Sequence, residues 1–441
     1  MQTLKQAILT SSSVPYVYSY PPTRTYRPTQ KFSLKDPVFS ECINIYIHIP
    51  FCEQKCTFCG YLTTVTRSET FQDSYVDCLV KEIGMFRGVI SNKTITSVNF
   101  GGGTPSLLTT KQFQKIMNAL LEANPLLLET AQEISIEATP ESIILGKIKN
   151  WIALGLNRAS IGIQTFDNQE IKLSKRHNST AVSLKALEIL KKSGVANVCC
   201  DLMYGLTGQT EESWLRSVND LKEFQPETIE LYSLVVIPGT PLALSGSQMS
   251  SEEKLSCYEL ARTVLLEAGY IHDCHLRFII PGKGFYFQQA NVFQGQSLLG
   301  FGAGARSYTV NMHYRNIHNS SASRQAVTNY MQEINAGNLA VASRVMITPE
   351  EEMRRYVIYN IEHLDKNDFE QRYDTRFEDQ FFQEYSELLN LGLAHDSDNV
   401  IELTPKGLAF RDVVAHQFFS KEVGSEEARY YASNPTISPR V

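Results

Sequence analysis

Short apolar runs alternate with segments of helical period along residues 43–241. The runs are rich in β-branched residues, which is typical of strands buried in a parallel sheet. In the segments between them apolar residues recur every three or four positions, and Gly194 follows one segment as a helix stop. The pattern predicts strands at residues 43–47, 97–100, 133–137, 159–164, 198–202 and 229–236, with helices at 71–86, 111–123, 141–154, 181–193 and 211–224.

Strands that alternate with helices form βαβ units, so the predicted fold class is α/β with a parallel sheet. Hydropathy does not choose between a doubly wound sheet and a closed or partial barrel. Beyond Pro241 the alternation ends, with a helix near 252–268 and a glycine-rich stretch at 281–308. From Thr348 onward, helical patterns and a strand at 400–403 suit a small helical or winged-helix-like domain.

The composition fits a globular protein with at least two parts. The chain has 441 residues, of which 43% are hydrophobic and 20% charged, so neither a disordered nor a membrane protein fits. No apolar run approaches the roughly 20 residues of a membrane span. Residues 1–13 lack the apolar core of a signal peptide. We therefore expect a soluble, cytoplasmic protein with no membrane partner.

Charge and cysteine content narrow the chemistry. Lys and Arg number 41 against 47 Asp and Glu, which gives a net charge of -6. Because no basic stripe is present, we expect no nucleic acid partner. Nine cysteines in a chain without an export signal favour free thiols or metal ligands over disulfides.

Three cysteines, Cys52, Cys56 and Cys59, follow the first predicted strand within eight residues. On a loop, this spacing lets three thiols converge on one inorganic centre. Thiolates hold iron-sulfur clusters, and three protein ligands leave one of four irons open for chemistry. A zinc site completed by His48 is the simpler alternative. A fourth thiol would close the site, and the candidates are Cys42, Cys78, Cys199 and Cys200.

The cysteine loop belongs to a longer motif, Tyr-Ile-His-Ile-Pro-Phe-Cys at residues 46–52, with Gly60 after the third cysteine and Phe-Gly-Gly-Gly-Thr-Pro at 100–105. It resembles the radical S-adenosylmethionine (SAM) superfamily, and more narrowly its oxygen-independent coproporphyrinogen III oxidase-like (HemN-like) branch. The resemblance extends over about residues 43–419. It implies a partial (β/α)6 TIM-like barrel whose chemistry lies at the carboxyl ends of the strands.

Three polar residues, Glu137, Gln164 and Asp201, end or follow apolar runs, so they are expected to lie at this same edge of the sheet. We expect all three to face one mouth of the barrel. The resemblance also implies a division of the chain. Its parts are an N-terminal extension (1–42), the radical SAM barrel (43–241), a post-barrel region that completes the active site (242–345), a C-terminal HemN-like domain (346–420) and a loosely ordered tail (421–441).

The resemblance implies a 4Fe-4S cluster on the three cysteines and SAM on its open iron. Reductive cleavage of SAM gives a 5'-deoxyadenosyl radical, and the branch typically holds a second SAM. The contacts that the resemblance implies for the first SAM are Tyr46, Phe58, Gly102 and Glu137; those for the second are Gly103, Thr104, Gln164, Arg176, Asp201 and Val235, with Arg306 near the cofactors. Two of these residues also have a simpler interpretation: Arg176 as a surface charge, and Asp201 as the cap of a turn.

The shared machinery does not name the reaction. Members of the branch decarboxylate coproporphyrinogen, transfer one-carbon units in methylation or cyclopropanation, or handle haem. Coproporphyrinogen oxidases usually carry a further cysteine two residues after the third, where this chain has Tyr61, and the segment at 18–27 also differs. We therefore rank radical methyl transfer or a related one-carbon reaction first, porphyrinogen decarboxylation second, and haem modification or a haem carrier without turnover as the further alternative.

The expected partners are a small-molecule substrate and an electron donor such as flavodoxin or ferredoxin. The sequence assigns no acid or base. Four histidines beyond the barrel are either substrate acids and bases or ordinary polar contacts, and four tyrosines either line a substrate cavity or pack in the core. These residues are His272, His275, His313, His318, Tyr204, Tyr232, Tyr286 and Tyr308.

Overall fold

A computed structural model describes most of the chain, and the predicted extension and tail lie partly outside the described residues. None of the described helices combines the length and apolar character that crossing a membrane requires. The described residues are Leu4, Val17, 19–29, 31–237, 239–244 and 249–433.

All six predicted strands are present and parallel. They lie side by side in chain order, so every crossover moves in the same direction and the crossover helices share one face. A doubly wound sheet would reverse direction, and this sheet therefore has the order of a partial barrel. The strands are β1 (Cys42–Ile49), β2 (Thr94–Gly102), β3 (Glu133–Ala138), β4 (Arg158–Gln164), β5 (Asn197–Tyr204) and β6 (Thr228–Ser233).

The crossover helices begin at hydroxyl caps, as when the Thr109 side chain accepts from the Gln112 backbone. Gly194 ends its helix with a φ of 86°, which confirms the predicted stop. One prediction is wrong: the helix at 141–154 is instead a 3-10 turn over Pro140–Ser142 and a shorter helix, because residues 143 and 144 are extended. The helices are α1 (Glu69–Met85), α2 (Thr110–Ala123), α3 (Leu145–Ile152), α4 (Thr180–Ser193) and α5 (Glu211–Phe224).

A seventh parallel strand, β7 (Ser297–Phe301), pairs with β1 on the side away from β2. No sequence pattern predicts this strand, because its five residues, one serine, three apolar residues and one glycine, lie in a glycine-rich stretch and give little periodicity. Antiparallel strands extend both edges, so the largest sheet among the described residues has thirteen strands. The added strands are Arg27–Pro28, Arg306–Tyr308, Met312–Asn316 and Val341–Met346 beyond β7, and Arg277–Ile279 and Ile271–Cys274 beyond β6.

A second hydrophobic core lies in the C-terminal region and includes Tyr20 of the N-terminal segment. The Tyr20 hydroxyl bonds to Glu351, which fixes this segment against the C-terminal helices. The three-stranded sheet fits the winged-helix-like expectation, while the predicted domain boundaries remain predictions. The strands are His363–Asp365, Val400–Leu403 and Ala394–Asp396, and the helices Pro349–Asn360, Lys366–Tyr373, Phe377–Gln380, Phe382–Asn390, Pro405–Ala409 and Arg411–Gln417.

The tail differs from its prediction. Where the sequence predicts loose order after residue 420, a helix spans Lys421–Ser433. Arg24 forms an ion pair with Glu427 on this helix, so the helix is held to the N-terminal segment. Residues 434–441 lie outside the described part. The other described helices are Arg87–Ile90, Leu127–Thr130, Asn168–Leu173, Ser251–Glu267, Phe287–Phe293 and Ser323–Asn335, and two short strands, Phe51–Cys52 and Thr64–Val65, pair with each other.

Candidate active site at the carboxyl ends of the strands

The cysteine loop leaves the carboxyl end of β1 and is held by backbone hydrogen bonds. Cys59 N donates to Cys56 O at 3.2 Å and closes a turn between the second and third cysteines. Thr57 N donates to Ser174 O at 3.1 Å, which ties the loop to the segment after β4. The loop is therefore positioned by two parts of the barrel and not by its own sequence alone.

The donor set around the thiols fits an iron-sulfur cluster. The Thr104 hydroxyl donates to Cys52 Sγ at 3.4 Å, and Arg176 Nη1 lies 3.8 Å from Cys56 Sγ. Burial raises the pKa of the Cys52 thiol to about 12 and also raises the pKa of Cys59. These thiols therefore stay protonated in the protein without metal, and binding of metal cations would displace the protons.

The same region fits zinc poorly. The three thiol sulfurs do not all lie within 4.8 Å of one another, the spacing that a single metal ion requires. His48 does not supply a fourth ligand, because its Nδ1 lies 3.1 Å from the Tyr46 hydroxyl and its Nε2 3.2 Å from Leu62 O. One corner of a cluster would thus stay without a protein ligand.

The proposed fourth thiols are occupied elsewhere. Cys42 begins β1, at the end of the strand opposite the cysteine loop. Cys78 lies on α1, where its thiol donates to Met331 O at 3.8 Å. Cys199 and Cys200 are buried in β5, and the Cys199 thiol lies 3.7 Å from Asp201 Oδ1. Each of them therefore packs or bonds outside the loop.

Three glycines, Gly101 to Gly103, end β2 beside the loop. A Cβ on Gly101 would lie 2.7 Å from both Glu137 Oε1 and Tyr46 Cε2, and one on Gly103 would lie 2.6 Å from Phe51 O. Gly102 N donates to Glu137 Oε2 at 2.9 Å. In this structure the glycines make room for protein groups, and they hold the Glu137 carboxylate at the mouth.

Gly102→Ala is expected to destabilise the protein by about 1–3 kcal/mol. Gly102 has a φ of 117°, and an added Cβ would lie 2.6 Å from His48 Cε1. Urea unfolding of the two proteins measures the loss. Gly84→Ala at the end of α1 is the control, because nothing lies within 4 Å of its added Cβ. Equal stability of the two variants would contradict the conformational argument.

Two residues predicted for the second cofactor, Gln164 and Arg176, both lie near Gly162 of β4. Arg176 Nη2 donates to Gly162 O at 2.6 Å and its Nε to Asn178 Oδ1 at 3.3 Å, so Arg176 is not a free surface charge. Gln164 has a φ of 69°, and its buried Oε1 has no hydrogen-bond partner among the described residues. An unpartnered buried acceptor beside a guanidinium fits a ligand that brings a hydroxyl or ammonium donor.

Asp201 lies in a buried charge network and does not cap a turn. Its carboxylate accepts from the Ser160 hydroxyl at 3.1 Å. Burial raises the pKa of Asp201, the neighbouring Glu230 raises it further, and Arg158 lowers it. Arg158 in turn pairs with Glu230 at 3.5 Å and lies over the Tyr286 ring at 4.2 Å. Arg158 and Glu230 were not predicted as site residues, although each is the charged residue of its buried strand.

The remaining predicted residues lie on two sides of the mouth. Phe58 packs against the cluster of Leu206, Leu234 and Leu242 beyond β5 and β6. Val235 is half-buried after β6. Tyr46 packs on the other side of the mouth with a second small cluster, which contains Val292, Leu298 and Tyr308. Arg306 lies directly opposite Arg315 on a neighbouring strand, and Arg315 was not among the predicted site residues.

The histidines beyond the barrel do not gather at this mouth. His275 Nδ1 lies 2.6 Å from Glu362 Oε1, and His272 stacks on Phe278 with ring centroids 4.6 Å apart. His272 lies on a strand beyond β6, and His275 lies in the turn that follows it. His313 is fully buried beside Tyr308. Only His318 lies near the cysteine loop, since an added Cβ on Gly304 would contact both Leu62 and His318.

Known proteins resemble this chain in sequence and fold. A model of the radical SAM superfamily matches residues 46–221. The chain is 27% identical to the oxygen-independent coproporphyrinogen III oxidase of Paracoccus denitrificans, over 94% of this chain and 96% of that one. It is 28% identical to the heme chaperone HemW of Lactococcus lactis, over 86% of this chain and 97% of that one. The solved structure of coproporphyrinogen III oxidase (HemN) from Escherichia coli matches with a TM-score of 0.75 and 26% identity, over 86% of this chain and 90% of that one.

This chain is a radical SAM protein of the HemN-like branch. The expected α/β fold, a partial barrel on a parallel sheet with a C-terminal helical region, is confirmed by the same structural match. Membership implies a 4Fe-4S cluster and SAM, and the loop with three thiols fits the cluster. The individual SAM contacts remain predictions at the positions described above.

Proposed function

We propose that this radical SAM protein is an enzyme that acts on a tetrapyrrole, with oxidative decarboxylation of coproporphyrinogen III as the first candidate reaction. The supporting observation is the extent of the match, which reaches 94% of this chain for one such oxidase and includes the C-terminal region. An enzyme that shared only the radical machinery would match over the barrel alone.

Haem binding or haem modification is the second candidate. The relative named as a heme chaperone matches at a similar identity, and haem is itself a tetrapyrrole with propionate side chains. Tyr61, in place of the cysteine usual in the oxidases, weighs against the first candidate. Radical methyl transfer, which the sequence analysis ranks first, has no support from these relatives and remains a hypothesis.

The chain's own residues have distinct tasks in this proposal. Cys52, Cys56 and Cys59 would hold the cluster, and Glu137, whose carboxylate accepts a hydrogen bond from Gly102 N, would contact the first SAM. When bound, the cluster and SAM supply a carbon-centred radical that removes hydrogen from the substrate. The second SAM would be held by Gly103, Thr104, Gln164, Arg176, Asp201 and Val235, with Tyr46 and Phe58 at the first.

Anaerobic turnover with dithionite, SAM and either coproporphyrinogen III or haem tests the proposal. In decarboxylation, each propionate that reacts would give one hydrogen atom to the radical derived from SAM, which becomes 5'-deoxyadenosine, and would lose carbon dioxide and one electron to an acceptor to leave a vinyl group. Formation of S-adenosylhomocysteine would favour methyl transfer instead. If neither tetrapyrrole raises 5'-deoxyadenosine above its rate without substrate, the protein is not a tetrapyrrole enzyme; haem uptake without 5'-deoxyadenosine would identify a carrier.

Asp201→Asn is expected to lower the SAM stoichiometry from two to one. The substitution keeps the size of the side chain but removes the carboxylate that Ser160 orients, and with it an acceptor for ribose hydroxyls or an amine. Equilibrium dialysis with labelled SAM gives the stoichiometry. Asp220→Asn, on the exposed face of α5, is the control. An unchanged stoichiometry in Asp201→Asn would argue against a second SAM at this position.

A further inference from the structure

Two arginines face each other beside the mouth of the barrel. Arg306 and Arg315 are directly opposite in adjacent antiparallel strands, where like charges repel. Arg306 bonds to Tyr308, and Arg315 Nε donates to Gly304 O at 3.3 Å. In the part of the chain that the structure describes, neither arginine forms an ion pair with a carboxylate. Two half-buried guanidinium groups without a counter-ion are costly unless an anion joins them.

A buried hydroxyl points to the same place. Tyr26 is 8% exposed, and its hydroxyl has no hydrogen-bond partner among the described residues. Both arginines and Tyr308 act on its pKa, so the four side chains share one region. The pairing of Arg27 with Arg344 places the N-terminal segment against these strands. A phenol donor and two guanidinium groups form a set that prefers a carboxylate oxygen pair.

The surrounding charges are all of one kind. Burial and then Arg306 lower the pKa of Arg315 to about 9. Burial, followed by Arg315 and Arg306, lowers the pKa of His318 to about 3, so that histidine stays neutral and adds no competing cation. No acidic side chain is among the groups that shift these pKa values. Around the two arginines the charges are therefore positive, and the nearest carboxylate that these interactions reveal is Glu137, which raises the pKa of Tyr46 where Arg306 lowers it.

The arginine pair lies next to the cysteine loop. Arg306 acts on the pKa of Tyr46, and Gly304 packs against Leu62, three residues beyond Cys59. In the sheet, the strand of Arg306 lies on the opposite side of β1 from β4 and β5, which carry Gln164 and Asp201. A ligand that reaches the arginines therefore approaches the cysteine loop from the side away from the predicted second SAM.

We propose that Arg306, Arg315 and Tyr26 form a subsite that binds a carboxylate of the substrate, a propionate group in the tetrapyrrole. The assignment rests on the proposed function for the substrate class. It revises the role predicted for Arg306, which is placed here on the substrate and not on SAM. The two guanidinium groups bind both carboxylate oxygens, and the Tyr26 hydroxyl donates a further hydrogen bond.

The subsite is tested by titrating the full-length, cluster-loaded protein with coproporphyrin III and with haem. The affinity for each free acid is compared with the affinity for its methyl ester. Arg306→Gln, Arg315→Gln and Tyr26→Phe are expected to weaken binding of the free acid, by about tenfold or more for each arginine. The esters should bind the arginine variants and the natural protein equally. Tyr26→Phe removes only the hydroxyl and guards against misfolding. Arg344→Gln, on the adjacent strand and paired with Asp36, is the matched control.

The outcomes separate the two proposals. If the natural protein binds neither tetrapyrrole, the proposed function fails. If it binds the free acid and both arginine variants bind that acid equally well, the subsite is wrong while the function stands. If the arginine variants lose affinity for SAM and not for the tetrapyrrole, the anion is the SAM carboxylate and the assignment to substrate is overturned.

Discussion

Cys56→Ala is expected to reduce 5'-deoxyadenosine formation to the level of a protein-free control. With two thiols left in the loop, the cluster loses a ligand that the structure does not replace, because the other described cysteines and His48 are engaged elsewhere. Iron and sulfide analysis of the anaerobically reconstituted protein, together with its visible absorbance, measures the cluster. Product analysis after addition of SAM and dithionite measures the cleavage.

Cys42→Ala is the matched control for this experiment. Cys42 is, like Cys56, a half-buried thiol, but it lies at the amino end of β1, away from the mouth and the cysteine loop. Its variant should retain iron, sulfide and SAM cleavage. Full retention of the cluster in Cys56→Ala, or its loss in Cys42→Ala, would show that the ligands have been assigned to the wrong cysteines.

Arg158→Met is expected to lower the free energy of unfolding by about 3–5 kcal/mol. Arg158 is 2% exposed and is the cation between Glu230 and Asp201, so its removal leaves buried carboxylates with Arg277, 3.8 Å from Glu230, as the remaining partner. Methionine fills much of the same volume, which separates the loss of charge from the loss of packing. Equilibrium unfolding in urea gives the difference.

The pH dependence of this deficit has a definite sign. Arg158 lowers the pKa of Asp201 against burial and Glu230, so without Arg158 that pKa rises further above its unfolded value. A raised pKa costs stability as pH increases, so the deficit should grow as pH rises through the Asp201 pKa of the natural protein. Arg216→Met, which removes an exposed pair with Glu212, should change stability little. A deficit independent of pH would place the effect in packing.

The two networks at the mouth explain why substitutions there have different costs. Around Arg158, opposite charges pair with one another within the protein, so removing one leaves the other buried charges without a partner. Around Arg306 and Arg315, like charges lack a protein partner, so removing one should cost binding and not folding. Thermal unfolding of Arg315→Gln beside Arg158→Met compares the two cases directly.

Local patterns in the sequence determined much of the molecule. The β-branched runs predicted all six barrel strands, because a strand buried on both faces must be continuously apolar. The helix over Glu211–Phe224 has the predicted bounds, since its cap and its apolar period are both local signals. The spacing of Cys52, Cys56 and Cys59 indicated a centre with three thiol ligands, because ligands on one short loop need no distant partner.

Tertiary structure alone decided the rest, because distant segments come together only through strand pairing. The order of strands separated a partial barrel from a doubly wound sheet, which hydropathy leaves equivalent. Pairing of β7 with β1 brought the following hairpin, and so Arg306 and Arg315, to the mouth from over two hundred and fifty residues away along the chain. Charge networks of this kind depend on register across strands, and no periodicity within a single segment encodes that register.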